Sequence, residues 1–123
     1  MSKQIEIKWL PEPDAKNYPA AESYLGLLYD DKTVKVIVSN LKDVPITQFK
    51  AKDIFRASGL SLLGISNSQV QKNRDKIEDG EPLSPILLLR DQRNGKVVIA
   101  DGYHRMCAVY SYHEDELIPC KIV

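Results

Sequence analysis

Hydrophobic and polar positions change period several times along the chain, and each change marks an element. Ile5, Ile7 and Trp9 alternate with charged or polar neighbours, the pattern of a short strand or extended arm that Pro11, Pro13 and Asp14 end. Ala21, Leu25 and Leu28 then recur at helical spacing beside Ala20, Tyr24 and Leu27, which predicts a helix over 19–29. Pro19 suits its first turn, where the missing N–H has no partner in any case. Asp30 and Asp31 break the run and start the next. Val34, Ile37, Val38 and Leu41 sit at i, i+3, i+4 and i+7 and predict a helix over 32–42, although Val34, Val36 and Val38 would also alternate along a strand. Two helices so closely joined form a helical hairpin.

Val44-Pro45 is a boundary. Residues 46–51 read as a short strand, and 53–57 as one or two helical turns stopped by Gly59. An apolar loop, 60–65, leads to a helix over about 67–79 that Ser66 or Asn67 caps and Gly80 ends. Only Val70 and Ile77 are apolar in it, so it packs by a narrow stripe and leaves a wide polar face. Residues 86–89 are an unbroken apolar run, suited to a strand buried on both faces. Asn94-Gly95 is a hairpin signal, and Val97, Val98 and Ile99 form the returning strand. A helix over 103–112 follows at once, with Met106, Val109 and Tyr110 facing the core beside Cys107. Ile118, Cys120 and Ile122 alternate with Pro119 and Lys121, as in a half-exposed last strand, and Pro119 suggests a sheet edge or a strand start.

These elements predict an α/β (α+β) fold: a small mixed β-sheet with packed helices. At 123 residues the chain is one domain, read as an N-terminal helical extension over 1–60 and a core over 61–123. Lys plus Arg number 17 and Asp plus Glu 17, which argues against nucleic acid held by bulk charge and leaves only a local basic patch. No apolar run approaches the ~18 residues of a membrane span. Residues 1–8 are charged and lack the apolar centre of a signal peptide. Cys107 and Cys120 lie in apolar runs with no close-spaced metal motif, and read as reduced core thiols of a cytoplasmic protein.

The chemistry concentrates at Ala100-Asp101-Gly102-Tyr103-His104-Arg105. A strand that turns through Asp-Gly into a helix exposes free backbone N–H groups at the positive end of the helix dipole, a ready anion site. His104 and Arg105 lie in the first turn, where side-chain donors can close on a phosphate. The plain alternative is that Asp101 only caps the helix, Arg105 is solvated and His104 packs locally. Lys50, Lys52 and Arg56 form a second cluster around Asp53. As a solvated face it does nothing further; as the wall of a phosphate site it supplies cations, with Asp53 as a candidate catalytic base or metal ligand. Lys50, Lys52, Arg56, Lys72, Arg74 and Lys76 on one face would make a nucleic-acid patch, the reading that zero net charge most disfavours.

Residues 66–123 resemble the ParB/sulfiredoxin superfamily. Sulfiredoxins carry Gly-Gly-Cys-His-Arg before a small-residue-rich helix and end in an Ile-Pro-Ala-Lys-Leu-Val type strand. This chain has Asp101-Gly102-Tyr103-His104-Arg105, then Met106-Cys107-Ala108, and ends Ile118-Pro119-Cys120-Lys121-Ile122-Val123. ParB proteins carry Gly-x-x-Arg, matched by Gly102 and Arg105, and the free serine kinases carry Asp-Gly-His-His-Arg, different only at Tyr103. The resemblance implies a nucleotide or phosphate site: backbone N–H of Gly102 and Tyr103 with His104 and Arg105 on the phosphates, and Asp101 capping the helix or positioning Mg²⁺. It also implies nucleotide contacts from one polar helix, at positions matching Gln69, Lys72 and Lys76. The implied ligands are ATP, ADP or CTP with Mg²⁺, or a phosphorylated small molecule. The implied chemistry is phosphoryl transfer or nucleotide hydrolysis, a small-molecule kinase in its most concrete form. Sulfinic-acid reduction is excluded, because Tyr103 replaces the nucleophilic cysteine and a phenol titrates near ~10. Full ParB proteins continue into a helix-turn-helix region, and this sequence ends at Val123, so segregation is not expected. The other expectation is a non-enzymatic module that binds a protein partner, or a second copy of itself, through its N-terminal half.

Overall fold

The computed structural model describes residues 5–123 and is an α+β fold of five helices and a four-stranded mixed sheet. The sheet order is β1 (Thr47–Lys50), β4 (Leu117–Ile122), β2 (Ile86–Asp91), β3 (Lys96–Asp101). β4 runs antiparallel to β1 and parallel to β2, and β2 and β3 form the antiparallel hairpin that Asn94-Gly95 predicts. One face carries α3 (Ala51–Ser58), α4 (Ser68–Glu78) and α5 (Tyr103–Tyr112); the other carries α1 (Asn17–Leu25) and α2 (Asp31–Asp43).

Two cores result. Ile86, Leu88, Ile99, Ile118 and Cys120 meet Ile54, Val70, Ile77, Met106 and Val109 on the first face. Leu87, Leu89 and Ala100 meet Ala21, Leu25, Val34, Val38 and Leu41 on the second. Successive β2 residues point to opposite faces, and both are covered over its first four residues, so Ile86, Leu87, Leu88 and Leu89 are all apolar and buried, and only Arg90 and Asp91 at its end are not. The apolar stripe of the α1–α2 hairpin is therefore spent on the sheet. The 1–60 extension does not stand apart from the core either, since β1 pairs with β4 through Phe49 and Ile118, and Ala51 and Ile54 lie in the first core.

Helix ends follow local chemistry. Asp30 caps α2 by accepting the Thr33 N–H at 2.8 Å, and hydrogen bonding from the Thr33 side chain, then from that N–H, holds its carboxyl below the usual range. α1 spans Asn17–Leu25 where 19–29 was expected: residues 26–28 continue as turns, the Leu27 and Leu28 N–H groups bonding three residues back to Tyr24 and Leu25, before Asp30 becomes extended (φ −72°, ψ 164°). Asn67 caps α4, accepting from Gln69 and Val70. The arm over 5–9 is extended without being a strand: Trp9 makes one isolated bridge to Leu83. Residues 1–4 of the 1–8 segment lie outside the described residues.

The last strand departs most from expectation. β4 is interior, and Pro119 and Lys121 are buried in it. Proline is accommodated because the ladder with β2 begins only at Cys120, one residue later. Lys121 is 5 % exposed, and its ammonium donates to the Lys42 carbonyl in the last turn of α2 at 2.9 Å, with Glu12 3.9 Å away. A cation here satisfies a carbonyl at the negative end of the α2 dipole. Tyr110 is half-buried, edge-on to Phe55 at 5.4 Å. No helix among the described residues is long and apolar enough to cross a membrane.

Candidate functional site at the β3–α5 joint

A bulge prepares the joint. β3 carries one extra residue, Ala100, between the pairs Leu88–Ile99 and Leu87–Asp101, which bends the strand just before the turn. Gly102 then takes φ +113° and opens α5. A Cβ on Gly102 would stand 2.3 Å from Ile86 Cγ2 and 2.7 Å from Ile86 Cβ, so the turn closes directly on β2. Gly102 offers no capping side chain. The first α5 N–H to reach a carbonyl is that of Met106, on Gly102 at 2.9 Å, which leaves the N–H groups of Tyr103, His104 and Arg105 without helical partners.

The side chains divide the work differently from the sequence expectation. Asp101 does not cap α5. Its Oδ2 accepts from Nη2 of Arg105 at 3.1 Å, with the two side chains 19 % and 16 % exposed. Nη2 also reaches the Pro85 carbonyl at 3.5 Å. Arg105 is therefore mostly buried, not solvated; through Nη2 it braces the bulge, the turn and the start of β2, while its Nε is buried with no hydrogen-bond partner among the described residues. Tyr103 donates its hydroxyl to the Ser61 carbonyl and thereby ties the 60–65 loop over the first turn of α5. Burial, and then the nearby Cys107, push the phenol above its ordinary value. The His104 ring is tilted on that of Tyr103, centroids 5.4 Å apart, and is partly exposed.

Ala20 and Tyr24 of α1, Leu60, and residues 99–104 enclose a crevice of about 370 Å³ that opens on the amino end of α5. Asp101 is the only carboxylate lining it. The sequence could not place α1 here, because Tyr24 lies 79 positions before Tyr103 and reaches the joint only through packing on β3.

The other candidates lie elsewhere. Lys72 and Lys76 are exposed on α4 and do not line the crevice. Arg74, between them, lies over the Tyr112 ring at 4.2 Å and bonds Ser111, so this part of α4 is level with the far end of α5. That end is about 14 Å from the joint at 1.5 Å per residue. Asp53 lines a separate apolar crevice of about 230 Å³ between α3 and the sheet, with Arg90, and pairs with Arg56 at 3.7 Å. Lys50 and Lys52 turn to Asp115, at 3.8 and 2.7 Å. That pairing raises the Lys52 ammonium and lowers the Asp115 carboxyl. Cys107 and Cys120 are buried and free; burial pushes the first thiol up and the second up to about 12, so neither supplies a thiolate at neutral pH. Among the described residues no three His, Cys, Asp or Glu side chains gather as a metal site.

Arg105→Ala is expected to lower stability by about 2 kcal/mol, because it strands a mostly buried carboxylate. Adding Asp101→Asn should recover about half of that loss in urea unfolding. An additive double variant would mean that the two side chains act independently.

No protein-family model matches the chain, and comparison with curated proteins and with solved structures finds no similar protein.

Proposed function

We propose that the chain is a phosphate-binding domain that takes a nucleotide, or a phosphorylated small molecule of similar shape, at the β3–α5 joint. The observation that supports this reading most is the crevice itself: Tyr103 and His104, whose N–H groups have no helical partner, line one end, and Tyr24, Leu60 and Ile99 line its wall. A phosphate suits the helix end, where N–H donors and the dipole act together. A planar base suits the tyrosine wall, since stacking on an aromatic ring is tolerant of base identity. His104 lies at the mouth and can donate to a phosphate oxygen. Arg105 keeps the turn in shape through its pairing with Asp101.

A divalent cation would arrive with the ligand's own phosphates, because Asp101 is the one carboxylate in the lining and is already paired with Arg105. Any reaction at such a site is phosphoryl transfer, driven by positioning and charge neutralisation. A resemblance of residues 66–123 to the ParB/sulfiredoxin superfamily supports the same ligand class. Thiol chemistry is no part of the proposal, since Tyr103 stands at the position of the sulfiredoxin cysteine.

The test is thermal stability with ATP, ADP, CTP and GTP, each with and without Mg²⁺. A ligand at 100 times its dissociation constant adds about 2.7 kcal/mol to a state that alone binds it. The expected result is a rise of several degrees for at least one nucleotide, reduced in His104→Ala and in Tyr24→Ala. No rise at millimolar concentration for any of them removes the reading.

A further inference from the structure

The two edges of the sheet are unlike. β1 has four residues, of which only Phe49 is partly buried. β3 has six, Lys96, Val97, Val98, Ile99, Ala100 and Asp101, with no proline and a bulge only at its far end. Among the described residues no backbone group of 96–101 hydrogen-bonds outside the ladder with β2. Alternate N–H and C=O groups of β3 therefore point away from the sheet with nothing to bond, which is how an edge offers itself to another strand.

Those groups open into a groove of about 460 Å³. Tyr24, Leu28 and Tyr29 form one bank; Ser58 and Leu60 form the other. Its floor takes Val97, Val98 and Ile99 in succession. Val97 and Ile99 belong to the first core and Val98 to the second, so the groove runs along the strand's edge and not across either face. Tyr24, Leu28 and Leu60 are 41 %, 49 % and 40 % exposed, large apolar groups beside an unpaired strand.

Charge selects the occupant. At the hairpin end Arg93 and Lys96 line the groove, and neither is ion-paired among the described residues; Asp91 there accepts from Asn94 and keeps its charge, so two cations stand against one carboxylate. At the other end the amino terminus of α5 and His104 follow β3, and Asp101 is neutralised by Arg105. Both ends favour negative charge. A second copy laid antiparallel on β3 would bring its Arg93 and Lys96 beside the amino end of α5, like against like. An extended segment with an apolar middle and acidic ends meets no such conflict.

We infer that β3 is a docking edge that adds an extended, acid-flanked peptide segment of a partner protein to the sheet as an outer strand. This does not rest on the phosphate reading, although the two sites adjoin at Tyr24, Leu60 and Ile99.

The probe is an end-blocked, fluorescent peptide of alternating valine and threonine between paired glutamates, with a twin carrying lysines in their place. Both are titrated by anisotropy against the full chain, and hydrogen exchange is followed with and without peptide. The expected result is saturable binding of the acidic peptide, roughly tenfold or more tighter than its twin, with slowed exchange over 96–101. Arg93→Glu with Lys96→Glu, both exposed, should remove that preference and leave any nucleotide-induced stabilisation unchanged. Three outcomes overturn the inference: no saturable binding, equal binding of the twins, or a sedimenting dimer in which 96–101 is protected without peptide.

Discussion

Gly102→Ala is expected to lose about 4 kcal/mol of stability, or to leave no cooperatively folded protein. Two effects add. The residue sits at φ +113°, where an L side chain costs at least about 1–2 kcal/mol. The new methyl would also meet Ile86 Cγ2 at 2.3 Å and Ile86 Cβ at 2.7 Å. Ile86 is fully buried and cannot swing away, so overpacking of this kind adds about 1–3 kcal/mol. Gly95→Ala is the control, since φ there is +64° and a Cβ would meet nothing within 4 Å. It should lose only about 1 kcal/mol, the conformational part alone. Thermal unfolding of the two variants separates the contributions. Equal losses would mean that the close approach to Ile86 relaxes at little cost and that the joint is more forgiving than its geometry.

Lys121→Ala is expected to lose about 3 kcal/mol. The side chain is 5 % exposed, so truncation removes a packed hydrocarbon stem and also leaves the Lys42 carbonyl without its donor. Glu12, 3.9 Å away and 66 % exposed, contributes little. Lys121→Met separates stem from charge. It keeps most of the stem and needs no desolvation of an ammonium, so it should lose about 1 kcal/mol, mainly for the unpaired carbonyl. If methionine destabilises as much as alanine, the bond to α2 carries the effect and the stem does not. Urea midpoints at constant slope are the measurement. Lys121 ties β4 to the end of α2, so the exchange rates of α2 amides in the alanine variant show whether the hairpin loosens before the rest unfolds.

The proposals put ligand and partner on adjoining stretches of one rim: the amino end of α5 for phosphate, the edge of β3 for peptide. Both are bordered by Tyr24 and Leu60, so occupation of one would be felt at the other. The same apolar residues that read as ordinary helix and loop positions in the sequence form that border only because α1 and α3 flank β3 from opposite faces.

Local chemistry made most elements legible from the sequence alone. Asp30 and Asn67 have side chains that cap, Asn94-Gly95 suits a tight hairpin, and Val70 and Ile77 leave α4 one narrow stripe to bury. The strand–turn–helix around Gly102 is likewise written in its own residues, because only glycine accepts that backbone. What depended on distant partners could not be read. Pro119 and Lys121 suggest an exposed edge, yet β1 and β2 enclose β4 on both sides, and a carbonyl 79 residues away satisfies the lysine. Arg105 has the reach and charge of a phosphate ligand, and only the proximity of Asp101 and the Pro85 carbonyl turns it into a brace. Lys76 has the spacing of a site residue with Lys72, and only the pairing of α4 with α5 sets it level with the far end of the helix. Periodicity and capping are short-range and fix elements; which charges meet is decided by how those elements pack, and that is long-range.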